Sequence, residues 1–170
     1  MGYIKKTLNR YSEILKSNKI KVILTSRGFH AIAVYRFSNY LYTKKIPLIP
    51  MALTRLIQII YSIDIDYRSK IEPGLIIFHG MGLTIGSGVE IGSNCVIFHG
   101  VTIGEKFGET TKGFPKIGDN VLIGTGSVIL GGIEIACNSK IGANSVVLKD
   151  FKNKDSVIAG NPAKFIKLVV

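Results

Sequence analysis

Aliphatic residues return every six positions through the larger part of this chain, from Ile65 to Val147. The residue two places before almost every one of them is also small or apolar. Two inward positions separated by one outward position are typical of a short strand with one buried face. The hexads start at Ile65, Ile71, Ile77, Ile85, Ile91, Ile97, Ile103, Ile117, Ile123, Ile129, Ile135, Ile141 and Val147. A short period kept over this length predicts a parallel β-helix in which each hexad supplies one strand.

The fourth position of each hexad indicates how the strands turn. Ten of eleven such positions are Gly or Asn, with Arg68 as the exception. Gly and Asn are the residues that most readily adopt positive φ, so they favour a sharp corner. Strands that meet at regular corners form a prism, and three hexads make one coil of eighteen residues. The thirteen starts therefore predict about four coils.

The first part of the chain has a pattern typical of helices. Apolar residues recur at helical spacing from Phe29 to Leu41 and again from Leu53 to Ile60, with Pro47 and Pro50 between the two runs. Neither run predicts a transmembrane helix, because charged residues and prolines interrupt the roughly 20 apolar residues that such a helix needs. We therefore expect these helices to bury their apolar faces against each other, the β-helix, a partner subunit or a membrane surface.

Two interruptions of the period and the composition of the tail divide the chain. Two extra residues precede Ile85, and eight precede Ile117, so we expect residues 105–116 to leave the prism as a loop. Beyond Val147 the period is lost, and a tail there would cover the open edge of the last coil. The predicted organisation is a basic α-helical section over 1–62, a β-helix over 63–151 and a capping tail over 152–170.

The formal net charge of +11 lies mostly in the helical section. Up to Lys70 there are thirteen Lys and Arg against three acidic residues, whereas from Ile71 onward nine Lys oppose eight acidic residues. A basic helical face suits peripheral contact with an anionic inner membrane, and a solvated face is the ordinary alternative. No nucleic-acid-binding module accompanies the charge, so we expect no nucleic acid partner. Two cysteines without a signal peptide favour a cytoplasmic location.

Two of the three histidines occur in identical sequence contexts. His79 and His99 each follow Ile-Phe and precede Gly, immediately before a corner. We expect them on the same side of the prism in adjacent coils, where neighbouring strands lie about 4.8 Å apart. Asp64 would lie one coil below, and its carboxylate could orient the His79 ring as a general base. The alternative is that all three are ordinary surface or turn residues.

Five segments resemble the serine acetyltransferase family of hexapeptide acyltransferases. They are GLIIFHG at 74–80, FHGVTIG at 98–104, PKIGDNVLIG at 115–124, KIGANSVVLK at 140–149 and GNPAK at 160–164. The likeness extends back to about Phe29 and includes the loop position and the tail as well as the repeat. It implies a left-handed parallel β-helix and a homotrimer with acetyl-CoA bound between neighbouring helices. It also implies a His–Asp pair that deprotonates a substrate hydroxyl.

The resemblance assigns roles to residues of this chain. His79 matches the catalytic histidine and Asp64 its aspartate partner, and His99 joins them in the expected catalytic group. Three of the expected acetyl-CoA contacts are backbone positions along the pantetheine arm, and three are lysines that would meet the phosphates. These contacts are Gly104, Thr125, Ala143, Lys140, Lys149 and Lys164.

The chain departs from the family pattern at two places near the expected site. Phe78 stands where the family usually has Asp, and Gly113-Phe114 stand where it usually has Arg-His. Those family residues hold the charged groups of an amino acid, whereas an aromatic side chain can lie against a sugar ring. The departures favour the similar exopolysaccharide O-acetyltransferases of the colanic acid type, with Phe78 and Phe114 binding the acceptor. We therefore expect acetyl transfer to a sugar or polysaccharide precursor, with serine O-acetyltransferase as the alternative.

Two further functions are weighed against these enzymes. A zinc enzyme would use both histidines as ligands, but a catalytic zinc usually has three protein ligands. His30 lies far from the repeat in sequence and Cys137 lies coils away, so we expect no metal. A non-enzymatic trimeric scaffold is the other alternative, and trimers could pair further through the helical section.

Overall fold

The computed structural model describes residues 2–107 and 113–169 of the 170-residue chain. Four helices come first and short strands follow. The helices are α1 (Gly2–Ile14), α2 (Lys19–Thr25), α3 (Arg27–Thr43) and α4 (Ile49–Tyr61). The strands are β1 (Ile63–Ile65), β2 (Lys70–Ile71), β3 (Ile76–Ile77), β4 (Leu83–Ile85), β5 (Glu90–Ile91), β6 (Val96–Ile97), β7 (Thr102–Gly104), β8 (Lys116–Ile117), β9 (Leu122–Ile123), β10 (Val128–Leu130), β11 (Glu134–Ile135), β12 (Lys140–Ile141), β13 (Val146–Val147), β14 (Ser156–Ala159) and β15 (Lys164–Leu168). Part of the predicted loop, residues 108–112, lies outside the described residues.

Local sequence signals set where the helices begin. The side chain of Asn18 accepts a hydrogen bond from the Lys21 N–H at the start of α2, and Ser26 does the same for Phe29 in α3. Such caps satisfy backbone donors that have no partner inside the helix. Pro50 lies in the first turn of α4, where a missing N–H costs nothing.

The strands stack into three parallel sheets, one on each face of a prism. We name them sheet A (β1-β4-β7-β10-β13), sheet B (β2-β5-β8-β11) and sheet C (β3-β6-β9-β12-β14). The sequence prediction of a left-handed parallel β-helix is confirmed. The structure has about five turns rather than the four that hexad counting predicts. The difference arises because Phe151 bridges to Ile135 and β14 pairs with β12, which completes a further coil beyond Val147.

The hexad starts form the core of the prism. All thirteen are between 0 and 4% exposed. Most of the Gly and Asn residues at the fourth position adopt positive φ, as predicted, whereas Gly88 and Gly132 at the corners between sheets A and B do not. At the corners between sheets B and C, the Asn120 side-chain amide donates to Asn138 and the Asn138 amide donates to Asp155, both at 3.0 Å. A ladder of side-chain hydrogen bonds therefore links successive coils at that edge.

The helical section closes the first coil by direct hydrogen bonds to its backbone. The Tyr11 hydroxyl accepts from the Ile77 N–H at 2.7 Å and lies 3.3 Å from the Ile77 carbonyl oxygen, to which it donates. The Tyr35 hydroxyl donates to the Ser69 carbonyl at 2.7 Å and accepts from the Ile71 N–H at 3.2 Å. Both tyrosines are buried. An open sheet edge would leave these groups unpaired, so the helices are an integral end cap.

At the other end of the prism, β15 pairs antiparallel with β14. Phe165, Ile166 and Leu168 on β15 are exposed. Within residues 2–107 and 113–169, no helix has both the length and the apolar content that crossing a bilayer requires.

Replacing Tyr11 by Phe tests the end cap. The variant keeps the edge-to-face contact with Phe29 but leaves the buried Ile77 N–H without an acceptor. We expect the free energy of unfolding to fall by about 1–3 kcal/mol, measured by urea denaturation. Tyr40→Phe is the control, because its ring is 56% exposed and should leave stability unchanged. An unaltered unfolding midpoint in Tyr11→Phe would argue against the cap.

The same cap predicts a pH dependence. Burial raises the pKa of Tyr11, and the hydrogen bond with Ile77 opposes this only in part. The folded state therefore keeps the phenol protonated, whereas the unfolded chain releases that proton near pH 10. Stability should decline as pH rises above about 10, and the decline should be less steep in Tyr11→Phe.

Candidate active site

Both histidines lie at the edge of the prism between sheet C and sheet A, which we call the histidine corner (residues 78–82, 98–101, 124–127 and 142–145). His79 follows β3 and precedes β4, and His99 follows β6 and precedes β7. Because Ile77 and Ile97 are direct partners in the parallel ladder, the two histidines lie in adjacent coils. The centroids of the two rings are 6.0 Å apart with an interplanar angle of 78°. This placement agrees with the spacing argument from the sequence.

The two identical tripeptides nevertheless have different backbones. His79 has φ +64° and Gly80 has φ +68°, whereas at the second site Gly100 is positive and His99 is not among the positive-φ residues. The extra Met81-Gly82 follow only His79 and widen its turn. Positive φ is uncommon for a residue with a side chain and is often found at functional sites.

An open cleft of about 430 Å³ lies over the two histidines. Its walls come from α1, from the turn into α3, and from the end of β3 with the residues that follow it. The lining residues are Tyr11, Leu15, Thr25, Ser26, Arg27, Gly28, Ile77, Phe78, His79, Met81 and His99. His79 is exposed to this cleft, and His99 is partly buried. The helical section therefore covers the predicted catalytic corner as well as the end of the prism.

A glycine allows α3 to approach the site closely. A Cβ atom built on Gly28 would lie 2.3 Å from the Ile77 carbonyl oxygen and 2.6 Å from the Tyr11 hydroxyl. No larger residue fits there without moving backbone atoms. Gly28 thus brings its neighbour Arg27 to the edge of the cleft.

Asp64 lies one coil before the strand that follows His79, as the sequence predicts, and pairs with Thr84 in sheet A. The partners of its carboxylate, however, are on α4. Its carboxylate accepts a hydrogen bond from Gln58 at 3.0 Å and lies 4.0 Å from the Arg55 guanidinium. Within the part of the chain that the structure describes, neither hydrogen bonds nor ion pairs join Asp64 to His79 or His99. In this conformation Asp64 is held by α4, at the start of sheet A.

Among the described residues that line the cleft, the one side chain with a fixed charge is cationic. Arg27 lines it and has no hydrogen-bond or ion-pair partner among the described residues. Tyr11 is a neutral phenol, because burial raises its pKa. The Cys95 thiol lies inside the prism, where burial raises its pKa to about 11, so it is neither exposed nor ionised for nucleophilic chemistry. No group of three metal-ligating side chains occurs among the described residues.

The residues expected to contact acetyl-CoA fall on different edges of one prism. Thr125 and Ala143 lie on the histidine corner in the coils beyond His99, and the Thr125 carbonyl accepts from the Asn144 N–H. Lys140 is exposed on sheet C, and Lys164 begins β15. Gly104 ends β7, on the side of sheet A that faces away from the histidine corner and towards sheet B. Lys149 follows β13 on that side, with its ammonium 5.8 Å from the centroid of the Phe151 ring.

The two aromatic residues proposed for the acceptor already pack within the chain. Phe78 stacks on Phe98 with centroids 5.2 Å apart and lines the cleft. Phe114 packs on the corner at Gly88, where an added Cβ would lie 2.2 Å from the ring. The two therefore lie on different edges of the prism, and Phe114 is separate from the cleft.

Sequence reasoning missed Tyr11, Ser26 and Arg27 as cleft residues. The hydrogen bond between Tyr11 and Ile77 joins residues 66 positions apart, and no repeat in the sequence indicates it. The one local signal is Gly28 within a helical pattern, since such a glycine often marks a close backbone approach.

The site holds an imidazole that can act as a general base. His79 is an exposed imidazole in a cleft, and proton abstraction is the commonest catalytic use of such a ring. The Arg27 guanidinium in the same cleft suits an anionic group on a substrate.

Two family models match the β-helix. The model described as bacterial transferase hexapeptide (six repeats) matches residues 114–149. The model described as hexapeptide repeat of succinyl-transferase matches residues 82–106.

Similar whole proteins extend this likeness into the helical section. A serine acetyltransferase of Helicobacter pylori (strain ATCC 700392 / 26695) is 40% identical over 149 residues, covering 88% of this chain and 86% of that protein. One from Synechococcus elongatus is 36% identical and covers 88% of this chain, which spans only 61% of that protein's length. The crystal structure of serine acetyltransferase from Brucella abortus strain S19 in complex with coenzyme A has a TM-score of 0.93 at 31% identity. That match covers 99% of this chain and 68% of the Brucella chain.

These findings overturn the predicted sugar or polysaccharide acceptor and the likeness to enzymes of the colanic acid type. The relatives and the solved structure are serine acetyltransferases. The prediction rested on Phe78 and Phe114 as aromatic surfaces for a sugar, but their rings pack on Phe98 and on the corner at Gly88. The identity to the Helicobacter pylori protein, over most of both chains, shows that this chain belongs to the serine acetyltransferase family of hexapeptide-repeat proteins.

Proposed function

We propose that this chain is a serine O-acetyltransferase that moves acetyl from acetyl-CoA to the hydroxyl of L-serine. The observation that carries the proposal is the exposed His79 in a cleft at the histidine corner. It is supported by the 40% identity to a serine acetyltransferase and by the similarity to a structure solved with coenzyme A. The two free cysteines suit a cytoplasmic location for this reaction.

The proposed reaction is direct transfer without an acyl-enzyme. His79 takes the proton of the serine hydroxyl, and the oxygen attacks the thioester carbonyl carbon. The carbonyl π electrons move to oxygen to form a tetrahedral oxyanion. When the oxyanion collapses, the C–S bond breaks, and protonated His79 returns the proton to the sulfur of coenzyme A. The Arg27 guanidinium at the cleft is suited to the serine carboxylate.

We propose a homotrimer as the active assembly, with acetyl-CoA bound between neighbouring prisms. In one chain, Thr125 and Ala143 share an edge with the histidines, whereas Gly104 and Lys149 lie across sheet A. One extended cofactor can contact both groups most simply if the edges of two chains face each other. The lysines at 140, 149 and 164 are exposed and suited to its phosphates.

Replacing His79 by Ala tests the general base. We expect wild-type protein to release free thiol from acetyl-CoA when L-serine is added, and the variant to lose at least about 100-fold in kcat. A colorimetric thiol assay measures both. The ring is exposed, so the melting temperature should change little. Wild-type turnover in His79→Ala would exclude His79 as the base, and no serine-dependent thiol release by the wild type would contradict the proposed function.

Replacing Asp64 by Asn separates two roles for this carboxylate. If Asp64 leaves Gln58 and orients the His79 ring during turnover, kcat should fall more than about tenfold with little change in the KM for serine. Gln58→Ala is the matched control, since it removes the observed partner without removing the carboxylate. A lower melting temperature with unchanged kcat in Asp64→Asn would show that the residue only holds α4.

We further propose that the outer faces of α2 and α4 contact an anionic membrane surface. Leu24 and Ile59 are 71% and 80% exposed, and Lys19, Lys21 and Arg55 are exposed nearby in sequence. His30 ties the two helices together through the Ile23 carbonyl and the Tyr61 hydroxyl. Exposed apolar residues with basic neighbours are the usual composition of an interfacial helix.

Ile59→Ser tests this contact. We expect wild-type protein to sediment with phosphatidylglycerol vesicles at low salt but not with phosphatidylcholine vesicles, because each basic residue adds roughly 1 kcal/mol near an anionic surface. Ile59→Ser should bind more weakly, whereas Ile166→Ser, an exposed site at the other end of the prism, should not. Equal binding by both variants, or none by the wild type, would refute the proposal.

A further inference from the structure

We propose that this chain has a second binding site, for a small carboxylate with an apolar or aromatic body, in a pocket beside the first strand of sheet B. We call it the Arg36 pocket (residues 3–4, 35–37, 39–40 and 69–72). It lies between the first turn of α1, the middle of α3 and β2. The described residues that line it and those that line the histidine cleft have no member in common. Ligand binding there would not depend on the proposed acetyl transfer.

The shape and composition of the Arg36 pocket fit a small molecule. Its volume is about 600 Å³, within the range of roughly 300–1,000 Å³ that is usual for small-ligand sites. Four apolar or aromatic side chains that line it, Tyr3, Ile4, Phe37 and Tyr40, are between 38 and 56% exposed. Ligand pockets combine such walls with a few polar groups that fix the orientation of the ligand. A bound apolar body would remove these side chains from water, which is favourable.

The polar group of the pocket is a guanidinium that has no anionic partner. The Arg36 guanidinium carbon lies 5.0 Å from the centroid of the Tyr3 ring and 5.3 Å from that of the Tyr35 ring. Burial lowers the pKa of this group, although a guanidinium keeps its charge at neutral pH. In the described part of the chain, its one side-chain hydrogen bond is to a neutral acceptor, the Glu72 carbonyl oxygen at 2.8 Å. A cation that is partly removed from water without an anion beside it is unfavourable, so an anionic ligand would stabilise this arrangement.

The free donors of Arg36 indicate which anion fits. Its Nε atom is buried and has no hydrogen-bond partner. Its Nη1 atom also has no partner, yet it is not among the buried unpartnered atoms of the described residues, so it is accessible from the pocket. Nη1 and Nη2 form the outer edge of the guanidinium, and the two oxygens of a carboxylate can accept from both at once. A planar carboxylate therefore matches this edge better than a neutral amide or hydroxyl group does.

The other charged groups nearby leave Arg36 available for a ligand. The Lys70 ammonium is paired with the Glu90 carboxylate at 2.9 Å. Glu72 is exposed, and among the described residues neither a hydrogen bond nor an ion pair joins its carboxylate to Arg36. Arg10, which is also partly buried, differs because its Nη1 atom donates to two backbone carbonyl oxygens. An anion in this pocket would thus have the Arg36 guanidinium as its direct partner.

A matched pair of probes tests the charge of the ligand separately from its body. 2-Naphthoate has an aromatic body with a carboxylate, and 2-naphthamide has the same body without the charge. We expect isothermal titration calorimetry of the intact chain to show saturable binding of 2-naphthoate, at least about tenfold tighter than that of 2-naphthamide, because a charge-assisted bidentate pair is stronger than a neutral hydrogen bond. Arg36→Met should abolish this difference by weakening the binding of 2-naphthoate alone.

Two further variants locate the probe. Arg27→Met is the matched control, because it removes the arginine of the histidine cleft and should leave the binding of 2-naphthoate unchanged. Tyr40→Ala removes an exposed aromatic ring from the Arg36 pocket and should weaken the binding of both probes to a similar extent. Since Tyr40 is exposed, this variant also tests the site if Arg36→Met does not fold. The melting temperature is measured for each variant.

Three results would overturn the proposal. The first is equal affinity of the wild-type chain for the two probes. The second is loss of 2-naphthoate binding in Arg27→Met but not in Arg36→Met, which would place the probe in the histidine cleft. The third is no saturable binding of either probe, and a sedimentation coefficient altered by Tyr40→Ala would then identify the pocket as a contact between copies of this chain.

Discussion

The interaction on which the whole molecule depends is the backbone hydrogen bonding between successive coils. Many of its strands have only two residues, such as Lys70–Ile71 and Val96–Ile97, and strands of that length are not stable alone. Each strand is hydrogen-bonded to the coil below and to the coil above. Strands in the first and last coils lack one of these neighbours, so the stability of the stack depends on what covers its two ends. The hydroxyls of Tyr11 and Tyr35 supply the missing partners at the first end, and they do so from inside the helical section.

This constraint explains why the candidate site lies near the end of the prism. The coil that needs a cap is also the coil that carries His79, and the helix that supplies Tyr11 also forms a wall of the cleft. The Ile77 backbone receives Tyr11 and is approached by Gly28, and His79 follows two residues later. The contacts of α1 and α3 with Ile77 therefore both stabilise the first coil and form the cleft around His79.

The sequence predicted the parts of this structure that are repeated and local. Each hexad has an inward aliphatic residue, and nearly all have Gly or Asn at the corner. A pattern repeated thirteen times in this way is typical of a β-helix. The spacing also placed His79 and His99 in neighbouring coils. Contacts made once, between distant residues, could not be foreseen: the Tyr11 cap is one, and the capture of Asp64 by Gln58 is another. The acceptor was misjudged because an aromatic residue in a motif does not reveal whether its ring is free, and the ring of Phe78 is stacked on Phe98.

The two-residue insertion at Met81-Gly82 has a consequence for how such proteins diversify. Solenoids grow by copying a unit, and copies begin with identical surroundings and identical capabilities. A two-residue insertion after one copy gives that copy a different backbone conformation, whereas the other copy keeps the regular turn. Two copies of one tripeptide can thus adopt different backbone conformations without any change in the tripeptide itself.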